Sequence, residues 1–147
     1  MVEYNSKVGL VSKPPYELYM ALTDLRNILR VVPEDKREGV TADFDSIHAT
    51  VQGFNIGVKM EERVPYSRLV LKDDGAPFAF RVTLNFDPAS DPLKTNFSIK
   101  AEADLNFMMK TLLGGKIKDG LDKVVDGLVD SSNGKLPEGF DPSKYGL

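Results

Sequence analysis

The chain of 147 residues contains no cysteine and only one histidine. The absence of cysteine excludes disulfides, thiolate metal ligands and a cysteine nucleophile, and it is compatible with the cytosol. Any histidine-based acid–base or metal site would have to use His48, the single histidine. We therefore expect a cytoplasmic protein without a metal site or a bound cofactor.

Long apolar runs and blocks of like charge are also missing. No run approaches the roughly 18 apolar residues that a membrane-spanning helix requires, so stable membrane insertion is not expected. The net charge is −3 with acids and bases interleaved, and this pattern argues against nucleic acid as a partner. At 147 residues, with 41% hydrophobic and 28% charged residues, the composition is typical of a single globular domain.

The two-residue period of β-strands dominates the middle of the chain. The clearest alternation runs from Phe78 to Phe86 and, after a turn at Asp87–Pro92, from Asn96 to Ala103. Such alternation is typical of an antiparallel sheet with one wet face and one buried face. Weaker patterns predict strands at Tyr4–Val11 (with Tyr4, Ser6, Val8 and Leu10 on one side), Asp43–Val51, Ile56–Glu61 and Arg68–Lys72.

Helical spacing occurs near both ends of the chain. A first short helix is predicted with an inner face of Tyr16, Tyr19, Met20 and Leu22, and a second, capped by Asp24 and ended by Pro33, with Leu25, Ile28, Leu29 and Val32. A long C-terminal helix, roughly 40 Å at 1.5 Å per residue, could cover a small sheet. Its predicted inner side consists of Leu105, Met109, Leu112, Ile117, Leu121, Val124 and Leu128.

Glycines interrupt the long helix at Gly114, Gly115, Gly120 and Gly127. Three accounts are open: close approach to the sheet, a kink at the Gly114–Gly115 pair, or tolerance in a helix held by packing. After the helix, residues 133–147 form a Pro/Gly-rich tail, so residues 1–132 are predicted to be the single folded domain.

The order of these elements resembles the helix-grip fold. The pattern is similar to the START and birch-pollen-allergen superfamily, also called the SRPBCC or polyketide-cyclase-like group, and within it to small bacterial members of unassigned role. Tyr19–Asn27 and Ala103–Lys110 carry the likeness, which covers about residues 1–132. The resemblance implies an α+β domain in which a curved antiparallel sheet wraps a long C-terminal helix, with a cavity that holds an apolar ligand.

From this resemblance we expect non-catalytic binding of a small apolar or amphipathic molecule between the sheet and the helix. The expected lining residues lie on the two clearest strands and the first turns of the helix: Phe78, Phe80, Val82, Leu84, Phe97, Ile99, Ala101, Met108, Met109, Leu112 and Leu113. The same residues would equally form a filled core in an ordinary domain.

Two alternatives remain at this point. One is a cyclase- or hydratase-like enzyme using the same cavity, with Tyr19, His48 and Arg81 as scattered polar candidates. The other is a solid-core interaction domain, with an open oligomeric state and possible contacts through the tail. His48 is expected to point away from Asp43 and Asp45.

The adjacent carboxylates do not predict an acid–base pair. Glu61 and Glu62 are neighbours in a strand, so we expect them to diverge into solvent, and Asp73 and Asp74 lie at a turn.

Overall fold

The computed structural model describes residues 1–31, 38–51 and 53–134. The eight strands are β1 (Val2–Asn5), β2 (Gly9–Val11), β3 (Thr41–Ala42), β4 (Ser46–Val51), β5 (Phe54–Val64), β6 (Arg68–Asp73), β7 (Phe80–Pro88) and β8 (Thr95–Ala103). The helices are α1 (Pro15–Leu22), a 3₁₀ helix (Leu25–Val31) and α2 (Phe107–Ser132). The predicted tail beyond Gly134, and Val32 and Pro33 at the predicted end of the second helix, lie outside the described residues.

The strands form one antiparallel sheet in the order β1-β8-β7-β6-β5-β4-β3, and β2 pairs with β8 beside β1. β7 and β8 pair directly, with Leu84 opposite Ile99 and Phe86 opposite Phe97. All four of these side chains are buried. The predicted α+β helix-grip architecture, a curved antiparallel sheet with a long C-terminal helix, is confirmed.

The first predicted strand, Tyr4–Val11, is divided into β1 and β2. Ser6 interrupts the ladder with β8: its amide donates to the Ile99 carbonyl oxygen at 2.9 Å, and its hydroxyl oxygen accepts from the Ile99 amide at 2.8 Å. The interruption reverses the alternation, so Val11 is buried while Leu10 is exposed. The predicted common side is therefore wrong beyond Ser6.

β5 carries a bulge at Glu61, because its pairing with β6 skips from Met60 to Glu62. Glu61 and Glu62 consequently line the same groove on the outer face, so the expectation that they diverge is wrong. The expectation that both are exposed to solvent is confirmed. Arg63 pairs with the buried Leu69 and points to the inner face.

The inner face of α1 is only partly as predicted. Leu18, Tyr19 and Leu22 are buried, whereas Tyr16 and Met20 are exposed. A helix of eight residues has little more than two turns, so the position of the sheet decides which residues it buries.

The second predicted helix is a 3₁₀ helix. Asp24 Oδ1 accepts a hydrogen bond from the Arg26 amide at 3.1 Å, as expected of a residue that caps the start of a helix. Leu25 is fully buried in the core cluster.

α2 begins at Phe107, where the Asn106 side chain accepts from the Met109 amide at 2.9 Å. Within α2 the inward apolar residues come at every fourth position: Met109, Leu113, Ile117, Leu121, Val125 and Val129. Because four residues exceed one turn of 3.6, this stripe advances by about 40° per step and winds around the helix. The predicted Leu105, just before the helix, is buried, and the predicted Leu128 packs against the core. The predicted Leu112 and Val124 are exposed, and their neighbours Leu113 and Val125 face inward instead.

The C-terminal half of α2 is anchored to the segment around β2. Ser132 Oγ accepts from the Ser12 amide at 2.9 Å, and Asp122 Oδ1 accepts from the Lys7 amide at 2.8 Å. Gly9 allows the closest approach, because a Cβ there would lie 2.5 Å from Val125 Cγ1. The main backbone contacts of α2 are with β1, β2 and β8.

The helix glycines do not share one role. A Cβ at Gly114 would lie 3.1 Å from the Tyr4 hydroxyl, which is a close approach to the sheet. A Cβ at Gly115, Gly120 or Gly127 would meet open space. Close approach therefore explains Gly114, and tolerance in a packed helix is the account that fits the other three.

Replacing Asp122 by asparagine is expected to weaken the α2 anchor at neutral pH and to have little effect in acid. Hydrogen bonds from Lys118 and from the Lys7 amide hold the pKa of Asp122 below its ordinary 3.8. A carboxylate with a depressed folded pKa stabilises the protein above its unfolded value, and this stabilisation is lost as the pH falls through the folded value. Urea denaturation from pH 7 to about pH 2.5 should therefore show the stability difference between Asp122→Asn and wild type shrinking.

Asp119→Asn is the matched control for this prediction. Asp119 is exposed on the same helix and has no hydrogen-bond or ion-pair partner among the described residues. A difference between Asp122→Asn and wild type that stays constant with pH would contradict the role given to the Asp122 carboxylate.

Candidate functional site

The closed part of the core lies under α1 and the C-terminal half of α2. Phe86 and Phe97 are fully buried with ring centroids 5.6 Å apart, and Leu25, Leu69 and Val125 are fully buried around them. This part is packed as an ordinary protein interior.

The inner face towards β4 and β5 is less completely covered. Ile47 on β4, Val58 and Met60 on β5, Val82 on β7 and Leu121 on α2 pack against the core but remain partly exposed. We call these five residues the inner apolar surface. Because α2 has its main contacts with β1, β2 and β8, it leaves this part of the sheet partly open.

The predicted lining residues fall into three groups by burial. Four are buried: Leu84, Phe97, Ile99 and Ala101. Five are partly buried: Phe78, whose ring lies 5.9 Å from that of Phe80, and Phe80, Val82, Met109 and Leu113. Met108 and Leu112 are exposed on the outer side of α2. The structure therefore brings the strand residues and the inward helix residues to one side, and it leaves Met108 and Leu112 apart from them.

Arg63 supplies a polar group at one end of the inner apolar surface. It is the next inward residue after Met60, and its guanidinium donates to Thr23 Oγ1 at 2.8 Å and to Asp45 Oδ1 at 2.8 Å. It also lies over the Phe44 ring, 4.7 Å from the centroid. Sequence reasoning missed Arg63, although the break in alternation at Glu61 was the available signal.

The three polar candidates for an enzyme do not come together. Tyr19 is buried and packs edge-on against Phe86 at 6.1 Å between centroids. Arg81 lies on the outer face, where Glu61 accepts its hydrogen bonds at 3.0 and 3.1 Å. His48 follows the inward Ile47 on β4 and so points outward. Only Tyr19 among them belongs to the inner side.

His48 pairs with a carboxylate on the next hairpin. Its Nε2 lies 3.0 Å from Asp74 Oδ2, over Gly57 on β5. Asp43 lies in the turn before β4, where hydrogen bonds from the Asp45 amide and from Ser46 lower its pKa. Within residues 1–31, 38–51 and 53–134, no three His, Asp or Glu side chains are grouped to hold a metal ion.

A groove of about 520 Å³ lies on the outer face of the sheet. It is lined by Asn5, Glu61, Glu62, Arg68, Val70, Arg81, Thr83, Asn85, Lys100 and Glu102. Glu61 pairs with Arg81 and Glu62 with Arg68, and the hydrogen bonds from Arg81 lower the pKa of Glu61. Its charges are thus neutralised within the protein, and the groove offers no free charge that would recognise a ligand.

Comparison with known proteins identifies the fold. A Thermobifida fusca protein matches with a TM-score of 0.67 and 19% identity over 90% of this chain and 93% of that chain. TTHA0849 from Thermus thermophilus matches with a TM-score of 0.65 and 13% identity over 90% of this chain and 98% of that one. XoxI from Bacillus cereus matches with a TM-score of 0.65 and 8% identity over 89% of this chain and 95% of that one.

These likenesses show the α+β helix-grip fold and nothing further, because the identities are low. No protein-family model and no curated relative matches the chain. In the described part of the chain, no helix is long and apolar enough to cross a membrane.

Proposed function

We propose that the protein binds a small apolar or amphipathic molecule, without covalent chemistry, against the inner apolar surface. The observation that carries this proposal is the partial exposure of Ile47, Val58, Met60 and Val82 beside the buried core cluster. Partly exposed apolar groups on the concave side of a sheet gain free energy when a ligand removes them from water, by about 25 cal/mol per Å².

The fold comparisons are consistent with membership of the START-like, SRPBCC group, and we include that membership in the proposal. Membership of this group would account for a sheet that is wider than the area covered by α2. The surface itself is apolar, and Arg63, whose guanidinium is paired with Asp45 and Thr23, closes one end of it next to Met60.

The enzyme alternative is less well supported. Acid–base catalysis needs polar groups within hydrogen-bond reach of a common substrate. His48 and Arg81 lie on the outer side of the sheet and Tyr19 on the inner side, so the three cannot act on one molecule.

A thermal-shift screen of fatty acids, sterols and flavonoids tests the binding proposal. A ligand at a hundredfold excess over its dissociation constant stabilises the folded state by about 2.7 kcal/mol, which corresponds to a rise in Tm of about 5–10 °C for a domain of this size. At least one class of compound should produce such a rise, and native mass spectrometry should show the complex.

Val82→Phe is expected to abolish that rise by filling the inner apolar surface. Thr83→Phe is the matched control, because Thr83 is the next residue on β7 and faces the outer groove. The proposal fails if no compound raises the Tm of wild type, or if Val82→Phe responds as wild type does.

A further inference from the structure

The start of α2 exposes large apolar side chains that no described part of the protein covers. Phe107, Met108 and Leu112 are 85%, 69% and 63% exposed. Met108 and Leu112 are four residues apart and lie on one face of the helix, with Lys116 a further four residues along. We call Phe107, Met108, Lys110, Leu112 and Lys116 the α2 tip.

The charges of α2 are divided between its two halves. Residues 107–118 contain Lys110, Lys116 and Lys118 and no acid, whereas residues 119–132 contain four aspartates and a single lysine. This order opposes the helix dipole, which favours acids in the first turn and bases in the last. The first turn of α2 indeed has no acidic residue.

Two aspartates of the acidic half and one lysine of the basic half have partners within the fold, whereas the other two lysines of the basic half have none among the described residues. Asp122 and Asp126 bind Lys7 on the segment between β1 and β2. Lys118 pairs with Asp122. Lys110 and Lys116 have no ion-pair partner among residues 1–31, 38–51 and 53–134. Asp104, the acidic residue that most closely precedes them in the sequence, is exposed.

Exposed apolar residues at the first positions of a helix, followed by unpaired lysines, break the usual rules of helix stability without a compensating contact. Phe107 and Met108 occupy positions where acids would stabilise the helix. A partner surface that is apolar beneath a layer of negative charge would satisfy both features. The headgroup region of an anionic bilayer has this arrangement.

We propose that the α2 tip docks the protein on the surface of an anionic lipid bilayer. Phe107, Met108 and Leu112 enter the boundary between headgroups and acyl chains. Lys116, one turn beyond Leu112, pairs with a lipid phosphate, and Lys110, on the other flank of the helix, reaches the headgroups with its long side chain. The contact is peripheral and salt-sensitive, because few apolar groups are inserted and two lysines contribute to binding. It uses the outer side of the helix, so it stands independently of ligand binding at the inner apolar surface.

Vesicle flotation of the full chain tests the proposal. Vesicles of phosphatidylcholine alone are compared with vesicles containing about 30% phosphatidylserine, at about 0.1 and 0.5 M salt. Wild type should float with the phosphatidylserine vesicles at low salt, and binding should fall by about tenfold or more at high salt or on neutral vesicles. This measurement needs no bound ligand, so its failure is distinct from a failure of the ligand screen.

Two paired variants locate the contact. Met108→Gln with Leu112→Gln removes apolar groups, and Lys110→Glu with Lys116→Glu reverses the charges; each should weaken vesicle binding about tenfold or more while the melting temperature is retained. The controls are Val124→Gln and Lys123→Glu, single changes at exposed positions of the acidic half of the same helix.

Three results would overturn the proposal. The first is no flotation of wild type with phosphatidylserine vesicles. The second is equal vesicle binding by the tip variants and the controls. The third is a concentration-dependent dimer in sedimentation that Met108→Gln with Leu112→Gln abolishes, because the tip would then be a contact between two copies of this chain.

Discussion

Replacing Phe97 by alanine is expected to lower the free energy of unfolding by about 3–5 kcal/mol. Phe97 is the third residue of β8 with none of its surface exposed, opposite Phe86 on β7 and Gly9 on β2. Truncation removes apolar surface from the core and leaves a cavity between two strands and α2, where the hydrogen-bonded ladder on both sides limits collapse. Urea denaturation at pH 7 measures the loss directly.

Phe107→Ala is the matched control, since it removes the same atoms from a side chain that is 85% exposed. Its effect on the free energy of unfolding should stay within about 0.5 kcal/mol. A loss at Phe97 no greater than the loss at Phe107 would show that the β7–β8 aromatic pair does not form the closed core described above. The comparison thus tests packing rather than residue type.

Gly57→Ala is expected to lower the free energy of unfolding by an amount at the upper end of roughly 1–3 kcal/mol. A Cβ at Gly57 would overlap the carbonyl oxygen of Asp74 and lie 2.5 Å from His48 Cδ2. The Asp74 amide donates to the Gly57 carbonyl oxygen at 2.8 Å, so the two backbones cannot separate without losing this hydrogen bond. Melting temperature and urea denaturation should both report the loss.

Two further variants separate the sources of that strain. Gly115→Ala introduces the same methyl group into open space on α2 and should stabilise by about 0.5–1 kcal/mol. His48→Ala combined with Gly57→Ala removes the side-chain clash but keeps the clash with the Asp74 backbone, so most of the loss should remain. Full recovery in the double variant would mean that the His48 ring, rather than the β5–β6 backbone, requires glycine.

The strands with the cleanest alternation were predictable from the chain alone. Phe80 to Phe86 on β7 and Phe97 to Ala103 on β8 place their apolar residues inward as predicted. The reason is that both strands are regular, and a regular strand carries its orientation in its own sequence. The long C-terminal helix was predictable for a similar reason, because apolar spacing is local, whereas its cap at Asn106 was not predicted.

Where the pairing between strands is irregular, the same reasoning assigned residues to the wrong face of the sheet. At Ser6 and at Glu61 the ladder skips or is interrupted, and each irregularity moves the following residues to the opposite face. Arg63 thus became an inward polar residue although the local sequence resembles a run of solvated charges. The signal for a bulge is weak in one sequence, because it depends on how many residues the neighbouring strand presents.

The amino-acid sequence by itself determined the fold class, the orientation of β7 and β8 and the existence of α2, because apolar periodicity acts over a few neighbouring residues. Only the tertiary structure decided which side of α2 faces the sheet. The inward residues of a stripe at every fourth position can be assigned correctly only when the surface that they pack against is known. It also decided that the C-terminal half of α2 is anchored through Lys7 and Ser12 while Val58, Met60 and Val82 stay partly open. Burial of this kind depends on how far one element extends over another, and that distance is set by contacts between residues remote in the chain.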